Sequence, residues 1–373
     1  MHERLLTFLR CPACQGGLEL EALAAVPTDG QIEVSEGLLH CGEGHWFPVV
    51  RGVPRMLPDA LREHWSTLAG CLATVDSPAV RELATRMRSA DGAGAAYDRR
   101  TRENFSLEWD HHDLGDNTWG MDLDDRVRWF FLEPLRIDAD DLAGKVVLDA
   151  GCGNGSQSVA YTRHGLEVVA LDLSSGLEHG QRLRHVLPGA RPDRVHFVQG
   201  DLMSPPLAPS SMDIVHSAGV IHHTPDTELT FRRLATLVAP GGTLYVWVYK
   251  YEPMVTPVVN TLRAVTTRVP PSLFARVARR SAGAFQLFCR TVNALGIRTY
   301  SALDRREAAL ALMDIFGAPY AHYHSFDEVA RWYRSEGFDE IWGCNDGRRG
   351  FGVCGRRTGG TTPLQDLATA QAP

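Results

Sequence analysis

Lysine is nearly missing: only Lys145 and Lys250 stand against 36 arginines, so Schiff-base chemistry has almost no candidates. No apolar run approaches the roughly 18 residues of a membrane span. The opening stretch MHERLLTFLRCPAC lacks the continuous apolar segment of a secretory leader. Eight cysteines in 373 residues do not make a secreted disulfide framework. The expectation is a soluble chain in the reducing cytoplasm. Excess positive charge is lacking too. Thirty-eight basic and 45 acidic side chains give −7, which argues against a whole surface built for nucleic acid. Hydrophobic residues at 44% and charged residues at 22% are a globular balance, with length for about two or three domains.

The chain shows no internal repeat. Residues 1–58 form a compact unit rich in Cys, Gly and Pro, ending in FPVVRGVPRMLP. Residues 59–135 read as a helical cap with breaks: AVRELATRMRSA, the glycine-rich DGAGAAY, then ENFSLEWDHHD and RVRWFFLEPL. From Lys145 apolar strands alternate with helices. The expected strands are KVVLD (145–149), EVVALD (167–172), RVHFVQ (194–199), MDIVHS (212–217) and TLYVWVY (243–249). Asp226 is the expected N-cap of DTELTFRRLATLV. Such alternation implies a parallel, doubly wound α/β sheet. It stops after Tyr249, leaving 251–321 as an inserted helical segment. It resumes with SFDEVARWYRSEGF, where Ser325 and Glu328 make a capping box. FDEIWGCND and GFGVCGRR then read as a closing antiparallel hairpin, and 357–373 as a disordered tail. The sheet domain is thus expected over 136–250 and 322–356.

Strand KVVLD runs into Ala150-Gly151-Cys152-Gly153-Asn154-Gly155 and then a helix. Glycines there let a ligand approach bare backbone at a helix start. Asp172 ends the next strand, where an acid can accept both hydroxyls of a ribose. The loop reads Gly-x-Gly-x-Gly, not the Gly-x-Gly-x-x-Gly that packs against a dinucleotide pyrophosphate. Asp149 just before it would repel a pyrophosphate and suit a ligand with a cationic amine. Asp201, after the third strand, is placed to accept from an adenine amino group.

VLDAGCGNG, the acidic end of ALDLS, QGDL, DIVHSAGVIHHTPD and LVAPGGTLYVWVY together resemble the motif series of class I S-adenosylmethionine-dependent methyltransferases of the type 11 kind. The resemblance covers about 145–249 and 325–356. It implies a seven-stranded Rossmann-like sheet closed by an antiparallel hairpin. It also implies that Gly151, Gly153 and Asn154 cradle the methionine part, that Asp172 holds the ribose, and that Asp201 with Leu202 borders the adenine. Cys152, Leu173 and Ser217 complete the candidate cofactor set.

Methyl transfer from a sulfonium is an in-line displacement in which the protein mainly aligns the partners and excludes water. A base is needed only when the acceptor must lose a proton, and His suits that near neutral pH. His222 and His223 follow the fourth strand and are the candidates; a packing role for one and a capping role for the other is the competing reading. Phe105 and Trp109, in ENFSLEW, are expected to cover the cofactor. Tyr320, His322 and His324, with Tyr323, are expected to form a substrate wall.

Cys11-Pro12-Ala13-Cys14 and Cys41-Gly42-Glu43-Gly44-His45 supply the four ligands of a tetrahedral structural zinc site. The unit resembles the zinc ribbon that heads ribosomal RNA guanine methyltransferases. Its tail, WFPVVRGVPRML, is more similar to the small zinc-binding activator proteins of tRNA and rRNA methyltransferases. Four arginines and seven acids in 1–58 make a poor footprint for RNA, so a docking module is expected.

From Pro253 to Leu303 there are seven arginines and no acid. Val258, Leu262, Val265 and Val269 share one helical face; Phe285, Phe288, Val292 and Leu295 share another, with Pro270-Pro271 between them. A lid is the first expectation, and contact of 253–303 with an anionic membrane surface the second. The leading functional expectation is methylation of O or N on an enclosed small metabolite, such as a sugar or a secondary-metabolite scaffold. An RNA methyltransferase and a non-catalytic cofactor-binding activator are the alternatives.

Overall fold

A computed structural model describes residues 1–28, 31–72, 83, 99–109, 117–294, 303–345, 347 and 349–358. Near the N-terminus β1 (Glu19–Thr28), β2 (Gln31–His40), β3 (Trp46–Val50) and β4 (Val53–Pro54) make an antiparallel sheet in sequential order. The second sheet contains β5 (Val146–Ala150), β6 (Glu167–Asp172), β7 (Val195–Gln199), β8 (Met212–Ala218), β9 (Val238–Tyr249), β10 (Glu340–Cys344) and β11 (Gly350–Arg356). Its order is β10-β11-β9-β8-β5-β6-β7. β5 to β9 run parallel, and β11 is antiparallel to both of its neighbours. Every residue of β6 and β7 is buried, as strands covered on both faces require. β9 starts at Val238, earlier than TLYVWVY implies, because Val238 pairs with Met212 before a register shift carries the chain to Ile214–Thr243.

The connecting helices are capped as the sequence suggests. Asp226 accepts from Leu229 N at 2.9 Å, and the Ser325–Glu328 capping box is present. Strand order reverses between β5 and β8, so a crevice opens at their carboxyl ends. That crevice positions everything described below.

The small sheet covers the β7 edge of the large one, which would otherwise expose unpaired backbone groups. Arg55 bridges to Gln199, Met56 N donates to Gln199 O at 2.7 Å, and Ala208 N donates to Phe8 O at 2.7 Å. Buried and half-buried ion pairs fasten the same seam. Glu33 lies 2.6 Å from Arg184, and Arg55 lies 2.8 Å from Glu178. Glu167 sits between Arg4 at 3.0 Å and His196 at 3.2 Å.

The inserted segment folds as helices Thr256–Thr266, Pro271–Ala294 and Arg305–Phe316. Val258, Leu262 and Val265 do share a face, but it points outward, with exposures of 60%, 51% and 67%. The buried contacts come instead from Thr256 and Arg263, whose guanidinium donates to Ile315 O and Ala318 O. In the longer helix Phe288 is exposed, while Phe274, Ala275, Ala278, Ala282 and Cys289 face inward. Small side chains let neighbouring helices approach closely, which periodicity of large apolar residues does not reveal. The expected helix AVRELATRMRSA (apart from buried Leu83), the DGAGAAY break, Leu295 and nearly all of the tail lie outside the described residues.

Burial alone would raise the pKa of Glu33, but Arg184 and the N-terminal amine more than offset it and bring it down to about 2. Its contribution to stability is therefore complete above the ordinary carboxylate range and is lost as pH falls toward 2. Glu33→Gln, which leaves Arg184 buried without its counter-charge, is expected to cost about 3–5 kcal/mol near neutral pH. Denaturant unfolding of parent and variant at pH 7 and pH 3 checks it; the gap should shrink at the lower pH.

Candidate active site

β5 delivers the glycine loop to the crevice. Gly151 has φ +85°, and a Cβ there would lie 2.3 Å from Val220 Cγ1. Gly153 has φ +58°, and its Cβ would lie 2.6 Å from the Trp109 ring. Neither position admits a side chain. Asp172, at the end of β6, holds this loop. Its Oδ2 accepts from Gly153 N and its Oδ1 from Ser174 N, both at 2.7 Å. Burial nevertheless raises its pKa against those hydrogen bonds. Burial also raises Asp201, whose Oδ1 accepts from Met203 N at 2.9 Å.

A cavity of about 290 Å³ lies over this loop. Of the expected cofactor residues, Gly151, Cys152, Asn154, Asp172 and Leu173 line it, as do Asp201 and Leu202. Three do not. Gly153 lies behind Trp109. Asp149 faces the interior, accepting from Ser158 Oγ at 2.6 Å and lying 3.3 Å from His216 Nδ1. Ser217 Oγ donates inward to Ala150 O at 2.9 Å.

The two histidines separate. His223 lines the cavity, with Nδ1 2.8 Å from Tyr320 O. Its Nε2 lies 3.1 Å from Asp314 Oδ1, the separation of an ion pair but too bent for a hydrogen bond. Tyr249 OH donates to Asp314 Oδ2. His222 is fully buried behind it, its ring 3.9 Å from that of Tyr249, and neither ring nitrogen has a hydrogen-bond partner among the described residues. Burial, followed by neighbouring His223, holds His222 well below the ordinary imidazole range, so it packs as a neutral ring.

Phe105 and Trp109, from helix Arg99–Trp109, line the cavity, with Phe105 edge-on to His223 at 5.4 Å. Tyr320, His322 and His324 are not on the cavity wall. Tyr320 contributes its carbonyl to His223, while His322 ties its own loop to His222 O and Thr224 O. His324 lies 3.2 Å from Glu328.

Several wall residues were not anticipated: Glu108, Arg126, Phe130, Trp247, Tyr249 and Asp314. Asp314 had a visible mark, as the only acid in the apolar run ALALMDIF. Glu108 is buried, its Oε2 has no hydrogen-bond partner among the described residues, and burial with the charges of Asp314 and Asp172 raises its pKa well above the usual value. Glu108, Asp172, Asp201 and Asp314 thus all line the cavity. Such a lining fits a cationic ligand, and S-adenosylmethionine carries both a sulfonium and an ammonium.

Away from the cavity, Cys11, Cys14, Cys41 and His45 bring their ligand atoms within 4.8 Å of one another. Three thiols and an imidazole converging without a disulfide are the donor set of a structural zinc site. Among the described residues no helix is long and apolar enough to cross a membrane.

Residues 148–246 match the family model described as a methyltransferase domain. The chain carries a methyltransferase domain. Residues 2–52 match the model of the Trm112p-like proteins, so the Cys/His module is of that kind. A ubiquinone biosynthesis O-methyltransferase from Xanthomonas euvesicatoria is 37% identical over 119 residues, 31% of this chain and 48% of the relative. An uncharacterized protein from Synechococcus is 34% identical over 113 residues, 30% of this chain and 27% of the relative. The chain thus spans about half or less of these relatives. Among solved structures, magnesium protoporphyrin IX methyltransferase from Synechocystis with bound S-adenosylmethionine has a TM-score of 0.40 at 16% identity, covering 71% of this chain and 100% of that one. A complex of the Haloferax volcanii Trm112 methyltransferase activator with a methyltransferase has a TM-score of 0.40 at 14% identity, covering 70% and 99%.

Proposed function

We propose that the methyltransferase domain transfers a methyl group from S-adenosylmethionine to an oxygen or nitrogen of a small molecule enclosed in the cavity. One observation carries this reading: the glycine loop and Asp172 share a single cavity with the His223–Asp314 pair. The cofactor would supply an activated methyl group. Asp172 would hold its ribose, and Asp201 with Leu202 would border its adenine.

The chain's own residues would do the rest. Phe105 and Trp109 exclude water from above the loop. Tyr320 O fixes the His223 ring through Nδ1, and Tyr249 OH fixes Asp314 through Oδ2. The pair between them can take one proton from the acceptor and hold it as an imidazolium beside a carboxylate. His223→Asn and Asp314→Asn are each expected to lower methyl transfer about 10²- to 10⁴-fold while leaving cofactor binding intact. The assay supplies methyl-labelled S-adenosylmethionine and a cell extract, then separates small molecules, lipid, protein and RNA. Label in the small-molecule fraction, lost in both variants, supports the reading. Label in RNA would replace the enclosed acceptor with a nucleic acid. Cofactor binding with no label in any fraction would favour a non-catalytic activator.

The Cys11, Cys14, Cys41 and His45 set would hold a structural zinc ion that cross-links the module seated on β7. Metal analysis of the purified chain is expected to give one zinc per chain, and its removal by a chelator to lower the unfolding midpoint. A metal-free chain with the same midpoint would remove zinc from the account.

A further inference from the structure

We propose that the methyl acceptor carries an anionic group, a carboxylate or phosphate, and that Arg126 is the residue that reads it. This rests on the cavity being a methyltransferase site, and it names the chemical class of what that site accepts. Arg126 lies in the short helix Leu123–Val127 and is only 4% exposed, yet it lines the cavity. A buried guanidinium is costly to keep unless a counter-charge and hydrogen-bond acceptors meet it. Among the described residues it has neither in full measure. The side chain's only hydrogen bond is a long one, 3.4 Å from Nε to Asp122 O, and no carboxylate lies within ion-pair distance. Burial brings its pKa down to about 10, with partial relief from Tyr161, Asp122 and Glu307.

Those two acids are committed elsewhere. Asp122 caps its helix by accepting from Asp125 N at 2.7 Å. Glu307 accepts from Gly120 N and from Asp304 N, each at 2.7 Å. Nor do the cavity's own acids neutralise Arg126. Glu108 feels the charges of Asp314 and Asp172, whereas Arg126 is not part of that group. The cavity is therefore polarised. Its acids suit a cationic methyl donor, and the buried guanidinium of Arg126, a planar fork of donors, suits an oxyanion on the acceptor; Arg349, the other lining arginine, is only half-buried. Phe130 and Trp247, edge-to-face at 6.3 Å on the same wall, supply an apolar surface for the body that bears the anion.

Benzoate, phenyl phosphate and uncharged benzamide test this by calorimetry on the full chain, with and without saturating S-adenosylhomocysteine. At least one of the two anions is expected to bind ten-fold or more tightly than benzamide, and which one does distinguishes carboxylate from phosphate. Arg126→Gln should erase the difference, and Arg126→Lys should restore part of it. The unfolding midpoint of Arg126→Gln should be no lower than the parent's, since the variant loses a buried charge without a counter-charge, and its S-adenosylhomocysteine affinity should match the parent's. Equal binding of all three probes to the parent, failure of both anions to bind, or a preference that survives in Arg126→Gln would overturn the proposal. If S-adenosylhomocysteine does not bind while the anions still discriminate, the methyltransferase reading fails and the anion site stands on its own.

Discussion

The carboxylate of Asp172, gripped by the amides of Gly153 and Ser174, is the constraint on which the site depends. It ties the end of β6 to a loop that leaves β5 with no side chain at either Gly151 or Gly153. Because Val220 and Trp109 fill the space those side chains would take, the loop cannot relax outward. Trp109 in turn brings helix Arg99–Trp109 down over the crevice, and with it Phe105 and Glu108. A carboxylate buried this deeply is disfavoured as an anion, and two amide donors offset part of that cost. A bound ribose would add further donors to the same carboxylate.

A second level of organisation is the separation of charge. Glu108 feels the charges of Asp314 and Asp172, and the guanidinium of Arg126 is outside that group. The Cys/His module lies outside this arrangement. It meets the β7 edge of the sheet with backbone hydrogen bonds and ion pairs.

The fold was legible because its signals are local. Parallel strands buried on both faces read as apolar runs, and the turns between them carry glycine and caps. The Cys/His cluster was legible for the same reason: two short knuckles state their chemistry within five residues each. What the sequence misled about was facing. Asp149 stands at a strand end like Asp172, but it is paired in register with His216 and turns inward. Val258, Leu262 and Val265 form the stripe that their spacing implies, yet the helix packs through Arg263 on its other side. Asp314, Arg126 and Tyr249 belong to the cavity only because three distant segments meet there. No spacing rule connects residues separated by 65 positions or more. His222 and His223 are indistinguishable as a dipeptide, and only the packing against Tyr249 and Asp314 tells them apart.

The central claim is that Asp172 and the glycine loop form a binding site for S-adenosylmethionine. Titration calorimetry of the full chain with S-adenosylhomocysteine tests it most directly. The account predicts saturable binding of one ligand per chain, lost in Asp172→Ala while the variant remains folded by circular dichroism. Absence of binding to the parent chain, or equal affinity in folded Asp172→Ala, would contradict it.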